Sequence, residues 1–137
     1  MGAVAFVDTS VVVAILAKEP DWRECSRKVA AATERLTSPV VRLETSIVLA
    51  ARLLVSPRQA EGQFERFLKE ADVSEVGLDA AVGIAAVACF ETFGKGRHPA
   101  RLNFADCLTY ACARLHGATL LFKGDDFSKT DINDQRS

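Results

Sequence analysis

Four apolar residues, Val4-Ala5-Phe6-Val7, run without interruption into an aspartate and two hydroxyls, Asp8-Thr9-Ser10. A short continuous apolar run bounded by polar residues reads as a strand buried on both faces, as in a parallel sheet. In open α/β sheets ligands bind just outside the carboxyl ends of such strands. Asp8 stands there, at the rim of a hydrophobic sheet, and is expected to begin a cluster of acids that holds a divalent metal.

The rest of the chain alternates helical and strand signals. Ser10 to Ala17 suits a short helix that Glu19-Pro20 breaks, because proline disfavours helix in the residue before it. Asp21 is expected to cap a second helix to about Thr33, with Arg23, Arg27 and Lys28 facing solvent. Leu36-Thr37 suits a short strand. Ser38-Pro39 and Ser56-Pro57 each read as an N-cap followed by proline at the first helical position. They open helices to about Val55 and from about Arg58 to Ala71, the second burying Phe64, Phe67 and Leu68. Val73 to Val76 suits a strand. Asp79 caps an alanine-rich helix to about Phe93 that is apolar almost all round, as expected of a buried or subunit-interface helix.

Gly94-Lys95-Gly96-Arg97-His98-Pro99 is a basic, breaker-rich loop. Asn103 caps the next helix, which stops at His116-Gly117. Thr119 to Phe122 is another apolar strand, Lys123-Gly124-Asp125-Asp126 a turn at its carboxyl end, and the chain beyond Asp131 a loose polar tail. Strands alternating with helices point to a single α/β domain over residues 1–137 with a mostly parallel sheet. The apolar runs Val11 to Ala17 and Ala80 to Phe90 fall short of the ~18 residues of a membrane span. Met1-Gly2 lacks the Ser or Thr that myristoylation wants at position 6, which is Phe6. Cys25, Cys89, Cys107 and Cys112 show no CxxC spacing and read as small buried hydrophobes, so a reduced, cytoplasmic protein is expected.

Carboxylates fall at four places where hydrophobic neighbours predict burial or a strand end. Asp8 follows the first strand, where it also suits a helix N-cap. Glu44 shares a helical face with Val40, Ile47, Val48 and Ala51, where a charge is costly unless paired or metal-bound. Asp106 lies three residues after Asn103, as in a capping box. Asp125 and Asp126 follow Gly124, as a polar turn also requires. Mg²⁺ and Mn²⁺ prefer hard oxygen ligands, and Mg²⁺ keeps several waters while taking one or two carboxylates. Thr9 and Ser10 offer hydroxyls to hold the first carboxylate or a bound water.

These residues resemble a PIN-domain protein, and more narrowly a VapC-type toxin of bacterial toxin–antitoxin pairs. The resemblance rests on Phe6 to Ser10, Leu43-Glu44-Thr45, Arg97 to Cys107, and Leu121 to Phe127 with Thr130-Asp131. Ala105 departs from it, since relatives often carry glycine there. The resemblance implies a three-layer α/β/α sandwich and a metal-dependent endoribonuclease using Mg²⁺ or Mn²⁺. Asp8, Glu44 and Asp106 match the family's acidic positions, with Asp8 and Asp106 as metal ligands. Either Asp125 or Asp126 fills the fourth position, and Asp131 assists by hydrogen bonding. It further implies a VapB-type antitoxin, a homodimer and a higher assembly of the two.

A formal charge of -1 supplies no broad positive field for nucleic acid. RNA contact is therefore expected from a local patch, Lys95, Arg97, His98 and Arg101, through phosphates next to the metal. Two other classes use the same residues. One is a metal-dependent hydrolase of a small phosphorylated metabolite; the other is a non-catalytic PIN-like binding module.

Overall fold

A computed structural model describes residues 3–134, so the Met1-Gly2 reading and the last three tail residues lie outside it. Four strands, β1 (Val4–Val7), β2 (Glu34–Thr37), β3 (Val73–Glu75) and β4 (Thr119–Leu121), form one sheet in the order β3-β2-β1-β4. Every pairing is parallel; Phe6 lies opposite Leu36 on one side and Leu120 on the other. The six helices are α1 (Thr9–Leu16), α2 (Trp22–Ala31), α3 (Pro39–Leu53), α4 (Pro57–Ala71), α5 (Ala80–Phe93) and α6 (Phe104–Leu115). They cover both sheet faces in a three-layer α/β/α sandwich.

The apolar start of the chain is central. Phe6 and Val7 are completely buried, and Val12, Phe64, Leu102 and Leu120 close the core around them. Burying a side chain of this size contributes roughly 1.5–3 kcal/mol. Strand order reverses at β1, whose neighbours β2 and β4 are reached by connections running to opposite sides. The carboxyl ends of β1 and β4 therefore flank the crevice where such sheets bind ligands.

Local signals set most element starts. Asp8, Ser38, Ser56, Asp79 and Asn103 each accept a backbone N–H as N-cap, and Ser56 with Gln59 and Asn103 with Asp106 form capping boxes. Asp21 is the exception. It precedes α2 but makes no capping bond, because its carboxylate accepts from Lys123 Nζ at 2.9 Å instead.

Two apolar helices are placed differently from expectation. α5 is not buried all round: Val82, Ala86 and Cys89 pack inward against α6, while Ile84 and Val87 are 73% and 71% exposed. α3 buries Val41, Thr45, Ser46 and Leu49, since it packs between α1 and α4. The stripe of Val40, Glu44, Ile47, Val48 and Ala51 instead turns towards the open end of the sheet, with Ile47 exposed.

All four cysteines are buried free thiols. No helix among the described residues is long and apolar enough to cross a membrane. Of the tail expected to be loose, the described residues 132–134 are anchored, and the rest lies outside the described residues. Ile132 is buried, and the Asn133 carboxamide copies a neighbouring strand, accepting from the Leu120 N–H at 2.7 Å and donating to its carbonyl at 2.9 Å. Asn133→Ala leaves both groups of β4 unpaired and is expected to lower stability by about 1–3 kcal/mol. Urea unfolding followed by circular dichroism measures the loss.

Candidate functional site

Asp8 leaves the carboxyl end of β1 and caps α1. Its Oδ2 accepts from the Ser10 N–H at 3.1 Å and from the Ser10 hydroxyl at 2.6 Å. That hydroxyl in turn accepts from the Lys123 N–H at 2.9 Å, and the Asp8 N–H donates to the Leu121 carbonyl at 3.0 Å. The carboxylate is thus positioned from α1 and from β4 together. Burial pushes its carboxyl above the ordinary range, against the hydrogen bonds from Ser10 that favour the charged form.

Glu44 reaches the same place from α3. Its Oε1 accepts from the Thr9 hydroxyl at 2.9 Å, and burial raises its carboxyl while the Thr9 bond opposes and the Asp8 charge adds. Asp106 comes from the first turn of α6. Its Oδ2 accepts from the Asn103 N–H at 3.1 Å while its own N–H donates to Asn103 Oδ1 at 2.9 Å. Burial pushes Asp106 up to about 6, opposed by the Asn103 amide and reinforced by the charges of Asp8, Glu44 and Asp126. Asp8, Glu44 and Asp106 line one open cleft of about 360 Å³. Of the two turn acids, Asp126 is the one whose charge reaches Asp106; the Asp125 backbone carbonyl accepts from the Ser128 hydroxyl.

Other candidates lie elsewhere. Asp131 accepts from Tyr110 Oη and from Arg114 Nη2, the latter at 2.6 Å, farther along α6 than Asp106. Arg97 and Arg101 are exposed on the loop before α6, outside the cleft lining. His98 turns inward, its Nδ1 accepting from the Ala100 N–H at 3.0 Å and its ring edge-on to Phe93.

Three cleft residues escaped the sequence reading: Glu19, Arg52 and Lys123. Lys123 had a legible signal, since it follows β4 as Asp8 follows β1. Glu19 was read only as the residue before a helix-breaking proline. Arg52 was read only as part of a long helix.

The donor set fits a hard divalent cation. Among the described residues no group of three His, Cys, Asp or Glu side chains is arranged to grip an ion directly. An ion that keeps most of its waters and takes one or two carboxylates has no need of such a group. Desolvated acids facing one another across a polar cleft carry the repulsion that a cation relieves. Asp8 and Asp106 are the candidate ligands, and Glu44 lines the same cleft.

Residues 5–133 match the PIN domain family model. The chain is 41% identical over 126 residues to ribonuclease VapC30 of Mycobacterium tuberculosis, covering 92% of this chain and 94% of that one. A VapC ribonuclease of Rhizobium meliloti is 36% identical over 140 residues, covering 93% and 99%. Among solved structures, the sarcin–ricin-loop-cleaving toxin VapC20 of M. tuberculosis superposes with a TM-score of 0.74 at 23% identity, covering 97% and 99%. A toxin–antitoxin complex from Klebsiella pneumoniae gives 0.67 at 17%, covering 90% of each chain. With the parallel sheet, the acid-lined cleft and these relatives together, the chain belongs to the PIN-domain family and, within it, to the VapC ribonucleases.

Proposed function

We propose that this chain is a Mg²⁺- or Mn²⁺-dependent endoribonuclease toxin that hydrolyses RNA phosphodiester bonds and is restrained by a cognate VapB-type antitoxin. The observation that carries the reading is the convergence of Asp8, Glu44 and Asp106 on one cleft, where burial raises all three carboxyl groups. The kinship with VapC ribonucleases supplies the substrate class.

Asp8 and Asp106 would hold a divalent cation in the cleft, which would supply positive charge for the phosphoryl oxygens and lower the pKa of a bound water. Each acid is kept in one orientation by its own capping bonds. Glu44, steadied by the Thr9 hydroxyl, accepts a hydrogen bond from the attacking water and orients it. Asp126 adds negative charge that strengthens cation capture. Val13 and Val48 supply the apolar part of the cleft lining. This scheme needs no histidine pair, and the inward Nδ1 contact of His98 fits that. Arg97 and Arg101 extend the RNA path beyond the cleft.

Leu43 and Ile47, exposed beside Glu44, suit the apolar face of an antitoxin helix laid across the cleft. Ile84, Val87 and Phe90 on α5 form a separate exposed apolar face that suits a homodimer. The cytoplasm is the compartment in which such a pair works.

Asp8→Asn and Asp106→Asn are each expected to lower Mg²⁺-dependent cleavage of total RNA by about 10²–10³-fold or more while leaving the far-ultraviolet spectrum unchanged. EDTA does the same to the wild type. Wild-type rates in either variant remove that acid from the mechanism.

Asp106 also sets a pH dependence. Because its folded carboxyl is raised to about 6, the stability gained by keeping it neutral is present at low pH. That gain, on the order of 1–2 kcal/mol, is lost as pH rises through about 6. In EDTA the wild type is therefore expected to lose thermal stability across this window, and Asp106→Asn to lose less. Magnesium restores the wild type above the window and does little below it. Parallel melting curves for the two proteins check the sign.

Replacing Ile84 and Val87 together by aspartate is expected to shift the protein from dimer to monomer in sedimentation velocity, with cleavage per chain measured alongside. A wild type that sediments as a monomer at micromolar concentration removes the dimer.

A further inference from the structure

The cleft contains a second constellation, two cations meeting on one carboxylate, that the metal chemistry does not use. Glu19 lies in the turn after α1, and each of its carboxylate oxygens accepts from a different cation. Oε1 takes Lys123 Nζ, and Oε2 takes Arg52 Nη1 at 2.5 Å. Lys123 follows β4 and Arg52 lies in the last turn of α3, so three separate segments meet on this carboxylate. All three residues line the same cleft as Asp8, Glu44 and Asp106, and Arg52 and Lys123 are the cations in that lining. The Lys123 backbone N–H is bonded to the Ser10 hydroxyl that holds Asp8, which ties the cation pair to the first acid.

We infer that Glu19 is a built-in stand-in for a substrate phosphate, occupying a two-cation clamp of Arg52 and Lys123 that an RNA phosphodiester takes over. The inference rests on the ribonuclease reading and names the groups that bind the RNA backbone at that site. The chemistry of the exchange is matched. A phosphodiester offers two non-bridging oxygens and one negative charge in a fork, as the Glu19 carboxylate does, and guanidinium and ammonium groups accept either.

Access is suitable as well. The Arg52 side chain is 50% exposed and Lys123 is 31% exposed, so an incoming oxygen reaches both from solvent. Lys123 keeps Asp21 as a second partner at 2.9 Å, which holds its ammonium near the cleft when Glu19 is displaced. The Arg52–Glu19 pair is exposed, and such pairs are individually weak, so exchange begins there. The Lys123–Glu19 pair is partly buried and is exchanged against its retained Asp21 contact. The need for a clamp is clear from charge: an RNA backbone approaching Asp8, Glu44, Asp106 and Asp126 is repelled, and the chain's formal charge of -1 gives no general attraction.

The test is RNA binding without turnover. A fluorescein-labelled single-stranded RNA of mixed sequence is titrated with full-length protein in EDTA, by anisotropy, across a series of salt concentrations. Glu19→Gln frees Arg52 and leaves Lys123 only its Asp21 partner, and is expected to bind about 3–10-fold more tightly, with a steeper salt dependence. Arg52→Gln with Lys123→Met is expected to bind more weakly, its salt slope shallower by about 0.7, the contribution of one single-strand phosphate. Arg52→Gln alone, at a half-exposed position, gives the same direction if the double variant fails to fold. Glu24→Gln makes the same charge change away from the cleft, where Glu24 pairs with Arg27 and Lys28, and is expected to bind as the wild type does.

Equal tightening by Glu24→Gln reduces the effect to net charge and overturns the clamp. So does a folded Glu19→Gln variant with unchanged affinity and slope. If the wild type still cleaves RNA with magnesium in those cases, the ribonuclease reading survives and the clamp alone fails. A wild type that neither binds nor cleaves RNA overturns both.

Discussion

The Ser10 hydroxyl is the joint on which the site depends. It donates to the Asp8 carboxylate and accepts the Lys123 amide, so one oxygen links the end of β1, the first turn of α1 and the exit of β4. A buried carboxylate is costly unless hydrogen bonds replace the water it loses. At Asp8 those bonds come from Ser10, twice, and the same contact registers β4 beside β1. Removing the hydroxyl would therefore disturb the acid and the strand junction at once.

Around that joint the protein sets two charge problems against each other. Asp8, Glu44 and Asp106 crowd the crevice with acids that burial makes harder to ionise, and the charge of Asp126 reaches Asp106 as well. Burial and mutual repulsion of these acids work against the metal-free fold, as is usual where function constrains a site. Beside them, Lys123 and Arg52 converge on Glu19, whose carboxyl is held low chiefly by hydrogen bonds from those two cations. An acid cleft with a cationic wall suits a substrate that is an anion delivered to a cation. In the proposed reading the wall would draw the phosphate in, and the acids would hold the metal.

Much of the frame was legible because it depends on local rules. The run Val4–Val7 declared a doubly covered strand, and Ser38-Pro39, Ser56-Pro57 and Asn103 with Asp106 declared helix starts. Features set by tertiary packing were not legible. The face of α3 that turns inward depends on α1 and α4 flanking it, so Thr45 and Leu49 are buried while Ile47 is not. In α5, apolar residues surround the helix and periodicity cannot say which side meets α6. Asp21 looks like a cap by sequence, but Lys123, 102 residues away, captures it. Asn133 reads as a polar tail residue until β4 is found to lack a neighbour on that side, where the carboxamide supplies the missing pair.

Helix capping and metal binding compete as explanations for Asp8 and Asp106 only when each residue is read alone. In the folded chain the capping bonds and the proposed metal site use the same two carboxylates. A carboxylate that accepts backbone N–H groups at a helix start has a fixed direction and bonds that offset part of the cost burial puts on its charge. Those are also the properties a metal ligand needs. For Asp106 the capping box uses Oδ2 with the Asn103 amide, which leaves the other oxygen unengaged by that bond. For Asp8 both Ser10 contacts fall on Oδ2, again leaving Oδ1 outside them. Each acid is thus anchored through one oxygen, with the other outside those bonds. The ordinary geometry of a helix start at the rim of a parallel sheet therefore accounts for the acidic positions and for the chemistry available there.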